Sequence, residues 1–291
     1  MRVQFQGIPR PIAFDDCVDL LDRLAAISQG WRWQVTQDAS APIISVAADK
    51  AGWRIVSQWT PTPAVYDNPA DILCALLADL VLAYVEADSR LLCLHAGAVA
   101  IGQGPAAPLF VFPAESQAGK STLTAALATA GGRIYSDDVL PIDLSSPTAN
   151  AVAIGLAPRP RLPLPDALGD HRRDALLHRM ASRNSRYGYV ALTGEQLAPL
   201  GERRPITAFV RLERATGPAA LTTASRSEII KLLLQQNFGA RPPAAEMVER
   251  FAALTAAAHC WRLSYNDIDE AIALLMAQAR GANSISHRLS A

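Results

Sequence analysis

The sequence predicts an α/β fold with α+β tendencies: a mixed sheet with flanking helices that carries a phosphate-binding loop, preceded by a β-rich N-terminal region. Three observations predict it. The apolar run Leu109 to Phe112 has the length and type of a buried strand. A small-residue loop follows, then Gly119-Lys120-Ser121-Thr122 and LTAALATA, which is rich in good helix formers. Residues 1–65 hold short β-prone runs separated by turn formers.

Composition bounds the function. A chain of 291 residues forms one large domain or two modest ones, and 50% hydrophobic content supplies a sizeable core. Lys plus Arg and Asp plus Glu are 27 each, so charge points to neither a nucleic-acid nor a membrane partner. Cys17, Cys74, Cys93 and Cys260 form no CxxC or Cys/His cluster and read as reduced core residues. With no apolar signal core in MRVQFQGIPRP, the expected location is cytoplasmic.

Within residues 1–65, the strands expected are Arg32–Val35, Ile43–Ala47 and Trp53–Gln58. Trp31, Trp33, Trp53 and Trp59 read as packing residues. Asn68 caps a helix with Pro69 at its first position and Asp71 in its first turn. That helix is too short to span a bilayer, carries Asp79 inside it, and reads as buried. Residues 66–280 are expected to hold the phosphate-binding domain and 281–291 a flexible tail.

RLLCLHAGAVAI reads as a strand with His95 inside it. Strand, small-residue loop, Lys-Ser and helix together make the layout of a P-loop, here Ala114, Glu115, Ser116, Gln117, Ala118, Gly119, Lys120, Ser121 and Thr122. Backbone N–H groups at the helix start face an anion, and the helix dipole favours it. Lys120 can reach the β- and γ-phosphates, and the Ser121 hydroxyl can ligate Mg²⁺. The usual pattern has glycine where this chain has Ala114, and an ordinary strand-to-helix turn is the competing reading of the tetrapeptide. Gly131-Gly132 ends the helix. RIYSDDVLPID then brings Asp137-Asp138 to a strand end.

AIGLAPRPRLPLPD carries four prolines, which exclude helix. From Pro158 to Val190 there are seven arginines and three aspartates, a local balance of +4. Such a segment suits phosphate or acidic partners, or is a solvated loop. Strands are expected at 206–213 and Cys260–Tyr265, and helices at Ser225–Phe238, Met247–Ala257 and Asp267–Ala279, the last capped by Asn266.

Three motifs stand in one order: His95 in LHAGAV, the loop AESQAGKST, and YSDDVLPI. This order resembles the HPr serine kinase/phosphorylase family and, more closely, the HPr-kinase-related proteins found beside peptide-modification genes. APRPRLPL, SRYGYVAL and CWRLSYNDIDEAIALL resemble later segments of the related kinases, so the likeness covers residues 90–280. It implies a P-loop kinase core that uses ATP and Mg²⁺ to phosphorylate a serine of a protein or peptide acceptor. In that reading Asp137 takes the hydroxyl proton, and Asp138 joins Ser121 at Mg²⁺. His95 polarises or relays, or is a satisfied core histidine. Arg159, Arg161 and Arg186 are candidate phosphate or acceptor contacts. This chain has Arg159 and Arg161 where the family carries an acidic segment. An oligomer is compatible with the likeness. Two alternatives stand beside this reading: a non-catalytic nucleotide-binding regulatory module, and a small-molecule kinase.

Overall fold

The computed structural model describes residues 1–115, 118–145, 149–238 and 243–289. Its N-terminal part is a six-stranded sheet of β1 (Arg2–Phe5), β2 (Ile12–Asp15), β3 (Trp33–Val35), β4 (Ile44–Asp49), β5 (Gly52–Ser57) and β6 (Ala64–Tyr66). The strand order is β3-β1-β2-β4-β5-β6. β2 and β4 are parallel, which requires a crossover. α1 (Asp19–Ile27), absent from the sequence reading, lies in that connection. Its buried Leu20, Leu21, Leu24 and Ile27 follow helical spacing within a stretch otherwise read as β-rich.

α2 (Pro69–Glu86) starts where the sequence places it: the Asn68 side chain accepts a hydrogen bond from the Ala70 N–H, with Pro69 in the first turn. Ile72, Leu73, Leu76 and Leu80 of α2 share one core with Val3, Ile12, Val46 and Ile55 of the sheet. Trp31 is buried there, and its indole N–H donates to the Ile154 carbonyl at 2.7 Å.

The remaining elements are β7 (Leu91–Ala100), β8 (Leu109–Pro113), α3 (Lys120–Thr129), β9 (Arg133–Ser136), β10 (Val139–Asp143), β11 (Asn150–Val152), α4 (Asp170–His178), β12 (Met180–Arg183), β13 (Gly188–Val190), β14 (Arg203–Arg214), β15 (Ala220–Thr223), α5 (Arg226–Gln236), β16 (Asn237–Phe238), α6 (Ala244–Ala257), β17 (His259–Tyr265) and α7 (Ile268–Leu289). The second sheet runs β11-β10-β7-β8-β14-β17-β15, with β9 and β16 also paired to β7. β8, β14 and β17 are mutually parallel neighbours, and β7 is antiparallel to β8. This is an α/β fold with a mixed sheet. Both faces are covered, which explains the unbroken apolar run of β8. Its Phe110 and Phe112 pack with Leu123 and Leu127 of α3, while Leu109 and Val111 pack with Ile229 of α5 and Phe251 of α6.

Two helix ends differ from expectation, and one helix is added. α7 is capped by Asp267, whose carboxylate accepts from the N–H groups of Asp269 and Glu270, and not by Asn266. α5 stops at Gln236 because Asn237 and Phe238 leave the helix to pair with β7. The proline-rich arm is non-helical as expected, but α4 follows it. There Arg172 pairs with Asp269, and Arg173 with Asp166 and Asp170. Both arginines are thus paired with carboxylates of the fold.

Candidate functional site

β8 ends at Pro113, and α3 begins at Lys120 with Gly119 as its N-cap and, among the described residues, no side-chain cap. The first N–H groups of a helix have no intrahelical partners. Gly119 makes the turn with φ +92°, a conformation that costs side-chain-bearing residues energy. Ala114, in the usual glycine position, needs no such conformation: among the described residues only Asp16 combines a side chain with positive φ. Ala114 is buried, and its carbonyl accepts from the Lys120 Nζ at 2.5 Å; the Glu115 carbonyl accepts from the same group at 3.1 Å. Ala118 is half-buried, Ser121 likewise, and Thr122 is buried. Ser116 and Gln117 lie outside the described residues. The helix ends in a Schellman arrangement: the Gly132 N–H bonds the Leu127 carbonyl at 2.9 Å, and that of Gly131 bonds Ala128 at 3.1 Å.

Sheet register carries the Asp pair to this loop. Pro113 pairs with Ala96 of β7. The Ala96 N–H donates to the Asp138 carbonyl at 3.1 Å on the other side of β7. Two strand spacings, about 10 Å, therefore separate the start of the loop from the Asp pair. β9 and β10 are successive pieces against β7, and Asp137-Asp138 occupy the bend between them. The bend lets adjacent residues serve one site, where a straight strand would send them to opposite faces. Gly97 brings α3 close: a Cβ there would lie 2.8 Å from the Thr124 hydroxyl.

The two carboxylates have different environments. Asp137 is buried, and one of its oxygens accepts from the Arg159 N–H at 2.7 Å. The other has no hydrogen-bond partner among the described residues. Burial pushes the Asp137 pKa up to about 6; the Arg159 N–H opposes this, the Asp138 charge adds to it, and the Ser121 hydroxyl opposes it. Burial would also raise Asp138, but the His95 contact at 3.0 Å and the Arg159 and Lys120 charges outweigh it and hold Asp138 below the ordinary carboxylate range. Burial lowers Lys120, partly offset by the charges of Asp138 and Asp137, while Arg161 lowers it further.

His95, Lys120, Ser121, Asp137, Asp138 and Arg159 thus meet, with Arg161 near Lys120. The Arg159 guanidinium is 3.8 Å from Asp138, 4.7 Å over the Tyr187 ring, and donates to the Cys74 Sγ at 2.8 Å. Arg186 does not join them: it pairs with Asp71 of α2 at 3.1 Å.

Two residues of the site escaped sequence reading. Arg214 ends β14 and Tyr265 ends β17; both close over the loop, since a Cβ on Gly119 would lie 2.7 Å from the Arg214 Nη2 and 3.0 Å from the Tyr265 hydroxyl. Crevices at the carboxyl ends of parallel strands are where α/β sheets bind ligands. Parallel pairing of β8, β14 and β17 is the signal that finds them, and it is a topological one.

Two cavities flank this arrangement without sharing a lining residue. One, of about 380 Å³, abuts the loop at Ala114, Glu115 and Ala118 and includes Arg211, Glu228 and Lys231. The other, of about 260 Å³, abuts Asp137 and Asp138.

No protein-family model matches the chain, and no curated protein matches it. Among solved structures, the chain is similar to the Hpr(Ser) kinase/phosphatase from Coxiella burnetii at 12% identity, over 68% of this chain and 97% of that one, with a TM-score of 0.31. That likeness is distant, and the functional reading rests on the site itself. Among the described residues, no helix is long and apolar enough to cross a membrane.

Proposed function

We propose that the chain is an ATP-dependent kinase that transfers the γ-phosphoryl group to a serine hydroxyl of a protein or peptide acceptor, in a peptide-modification setting. One observation carries the reading: a helix start bearing Lys120 and Ser121, whose N-cap is Gly119, lies within reach of a buried carboxylate that has one oxygen without a hydrogen-bond partner among the described residues. An anion site and a proton acceptor side by side are what phosphoryl transfer to a hydroxyl requires, because the protein mainly positions groups and offsets charge.

In this reading the α3 N–H groups and Lys120 hold the triphosphate, and Lys120 exchanges the Ala114 and Glu115 carbonyls for phosphate oxygens. The larger cavity beside the loop, which mixes apolar residues such as Leu212 and Leu232 with Arg211, Glu228 and Lys231, suits base and ribose. The serine oxygen forms its bond to the γ-phosphorus as the bond to the β–γ bridging oxygen breaks. ADP leaves with that electron pair, and the hydroxyl proton passes to Asp137. His95 and Arg159 fix the orientation of Asp138.

Magnesium fits the donors present. The Ser121 hydroxyl and the Asp138 carboxylate are hard oxygens, and the unpartnered Asp137 oxygen lies on the same bend. Mg²⁺ is usually held by one or two carboxylates plus substrate phosphates. Bound there, it would offset phosphate charge.

The test is incubation with γ-³²P-labelled ATP, Mg²⁺ and serine-containing peptides. Label retained on peptide is expected. Nucleotide binding without hydrolysis or transfer would make the chain a regulatory module instead, and label on a small metabolite would make it a small-molecule kinase.

A further inference from the structure

The smaller cavity has a polar end and an apolar body. Asp137, Asp138 and Arg159 form its charged lining. Leu77, Ala78, Val81 and Leu82 of α2 supply one wall, with Leu156 and Ala157 from the arm. An occupant must therefore bring a hydrogen-bond donor to a carboxylate and an apolar group to the rest. A sugar or other polyol would leave hydroxyls unpaired against leucine and valine, which is unfavourable. The volume, about 260 Å³, falls under the roughly 300–1,000 Å³ of pockets that enclose a whole drug-sized ligand. It suits one bulky side chain whose backbone stays outside.

We propose that this cavity is the acceptor pocket and takes the large aliphatic or aromatic side chain beside the phosphorylated serine of a peptide. The inference rests on the kinase reading and adds to it the feature by which an acceptor is recognised. α2 belongs to the core of the N-terminal sheet, so that sheet would set acceptor choice while the second sheet handles the nucleotide.

Cys74 makes the pocket testable without catalysis. It lines the cavity and is half-buried, whereas Cys17, Cys93 and Cys260 are buried. Maleimide labelling of the native protein, read by mass spectrometry, therefore reports on Cys74. A short peptide with Leu or Phe beside its serine is expected to slow that labelling in the absence of nucleotide; the same peptide with Asp there is not. In the transfer assay the apolar peptide is expected to show kcat/KM roughly 10–200-fold higher, the usual worth of an apolar group in a fitted pocket. Ala78 is exposed on α2 and lines the cavity, so Ala78→Phe fills it without disturbing the core. That variant is expected to erase the peptide preference through KM, with its folding checked by an unchanged thermal transition.

Equal Cys74 labelling with and without the apolar peptide, or equal kcat/KM for Leu- and Asp-flanked peptides, overturns the pocket. Protection by 1-hexanol but by no peptide overturns the peptide assignment. Protection without any transfer keeps the pocket and sinks the kinase reading, while transfer without apolar preference does the reverse.

Discussion

On the phosphate side of the site, the groups that face the anion come from one stretch, β8 through α3, whereas on the acceptor side they come from four places: His95, the Asp137-Asp138 bend, Arg159 and α2. The first side is shaped by local backbone geometry, with one positive-φ glycine as the N-cap of α3. The second exists only once β7 aligns its neighbours and the arm folds over α2. Changes on the first side should alter nucleotide affinity; on the second, changes at Asp137 should alter transfer while leaving the nucleotide bound, and Asp138, which shares the metal position with Ser121, should act on both.

The largest expected effect tests that division at the Asp pair. Asp137→Asn keeps the shape and the Arg159 N–H contact but removes the proton acceptor. Transfer is expected to fall roughly 10²–10⁴-fold, the scale of acid–base help, with MgATP affinity nearly intact. Asp138→Asn, which loosens the contacts to His95 and Arg159, is expected to weaken nucleotide affinity and Mg²⁺ dependence together. Calorimetry and transfer rates with one acceptor check both; the opposite pattern exchanges the two roles.

Next in size is Lys120→Ala. A charge-assisted phosphate contact is worth about 1.5–3 kcal/mol, so ATP affinity is expected to drop about tenfold or more. Unchanged affinity with Mg²⁺ present removes the loop from nucleotide binding and collapses the comparison.

The same contrast governs what the sequence discloses. The loop was legible because its elements are contiguous: an apolar run of strand length, Gly-Lys-Ser-Thr, helix formers and a double-glycine stop. Asn68 and Pro69 fixed the start of α2 for the same reason. The Asp pair was legible as a motif, but that it lies on a bend, and next to Ala96 in register, is a property of the sheet. Arg159 stood out only as one of many arginines in the arm. Its place between Asp138 and Tyr187, and the diversion of Arg186 to Asp71, depend on contacts across more than twenty residues. Tyr265 reads as an ordinary strand end and Arg214 lies just past one, until parallel pairing of β14 with β8 and of β17 with β14 brings them over Gly119. α1 was missed because its helical spacing sits within a region dominated by β-prone runs.

Gly119→Ala sharpens the description of the phosphate side. Its φ of +92° is unfavourable for alanine by about 1–2 kcal/mol. The added methyl would also meet the Arg214 Nη2 at 2.7 Å and the Tyr265 hydroxyl at 3.0 Å. Arg214 is exposed and can move; Tyr265 is fully buried and cannot. A loss of roughly 1–2 kcal/mol in stability or nucleotide affinity is expected, measured by thermal unfolding and calorimetry. A variant that matches the parent in both would show that the loop readily adopts another turn.

The smallest expected effect separates the two faces of α2. Asp79 is buried on the side facing the N-terminal sheet, where its carboxylate accepts from the Ser57 hydroxyl at 2.6 Å and from Thr60 at 3.4 Å. Burial raises its pKa above the ordinary 3.8, and these hydroxyls only partly offset that. A carboxyl with a raised folded pKa binds a proton more tightly folded than unfolded. Its contribution to stability therefore falls as pH rises from the unfolded value through the folded one, and stays low above it. Asp79→Asn keeps an acceptor for Ser57 and removes the buried charge. It is expected to flatten that decline and to gain roughly 1 kcal/mol or less at neutral pH. Thermal unfolding of both proteins between pH 4 and 8 checks this. An undiminished pH dependence places the titration in another group. Peptide transfer kinetics should not move, because Ala78 and Val81, and not Asp79, line the cavity beside the Asp pair; a shifted KM for the acceptor would mean that the buried face of α2 also sets the shape of the pocket.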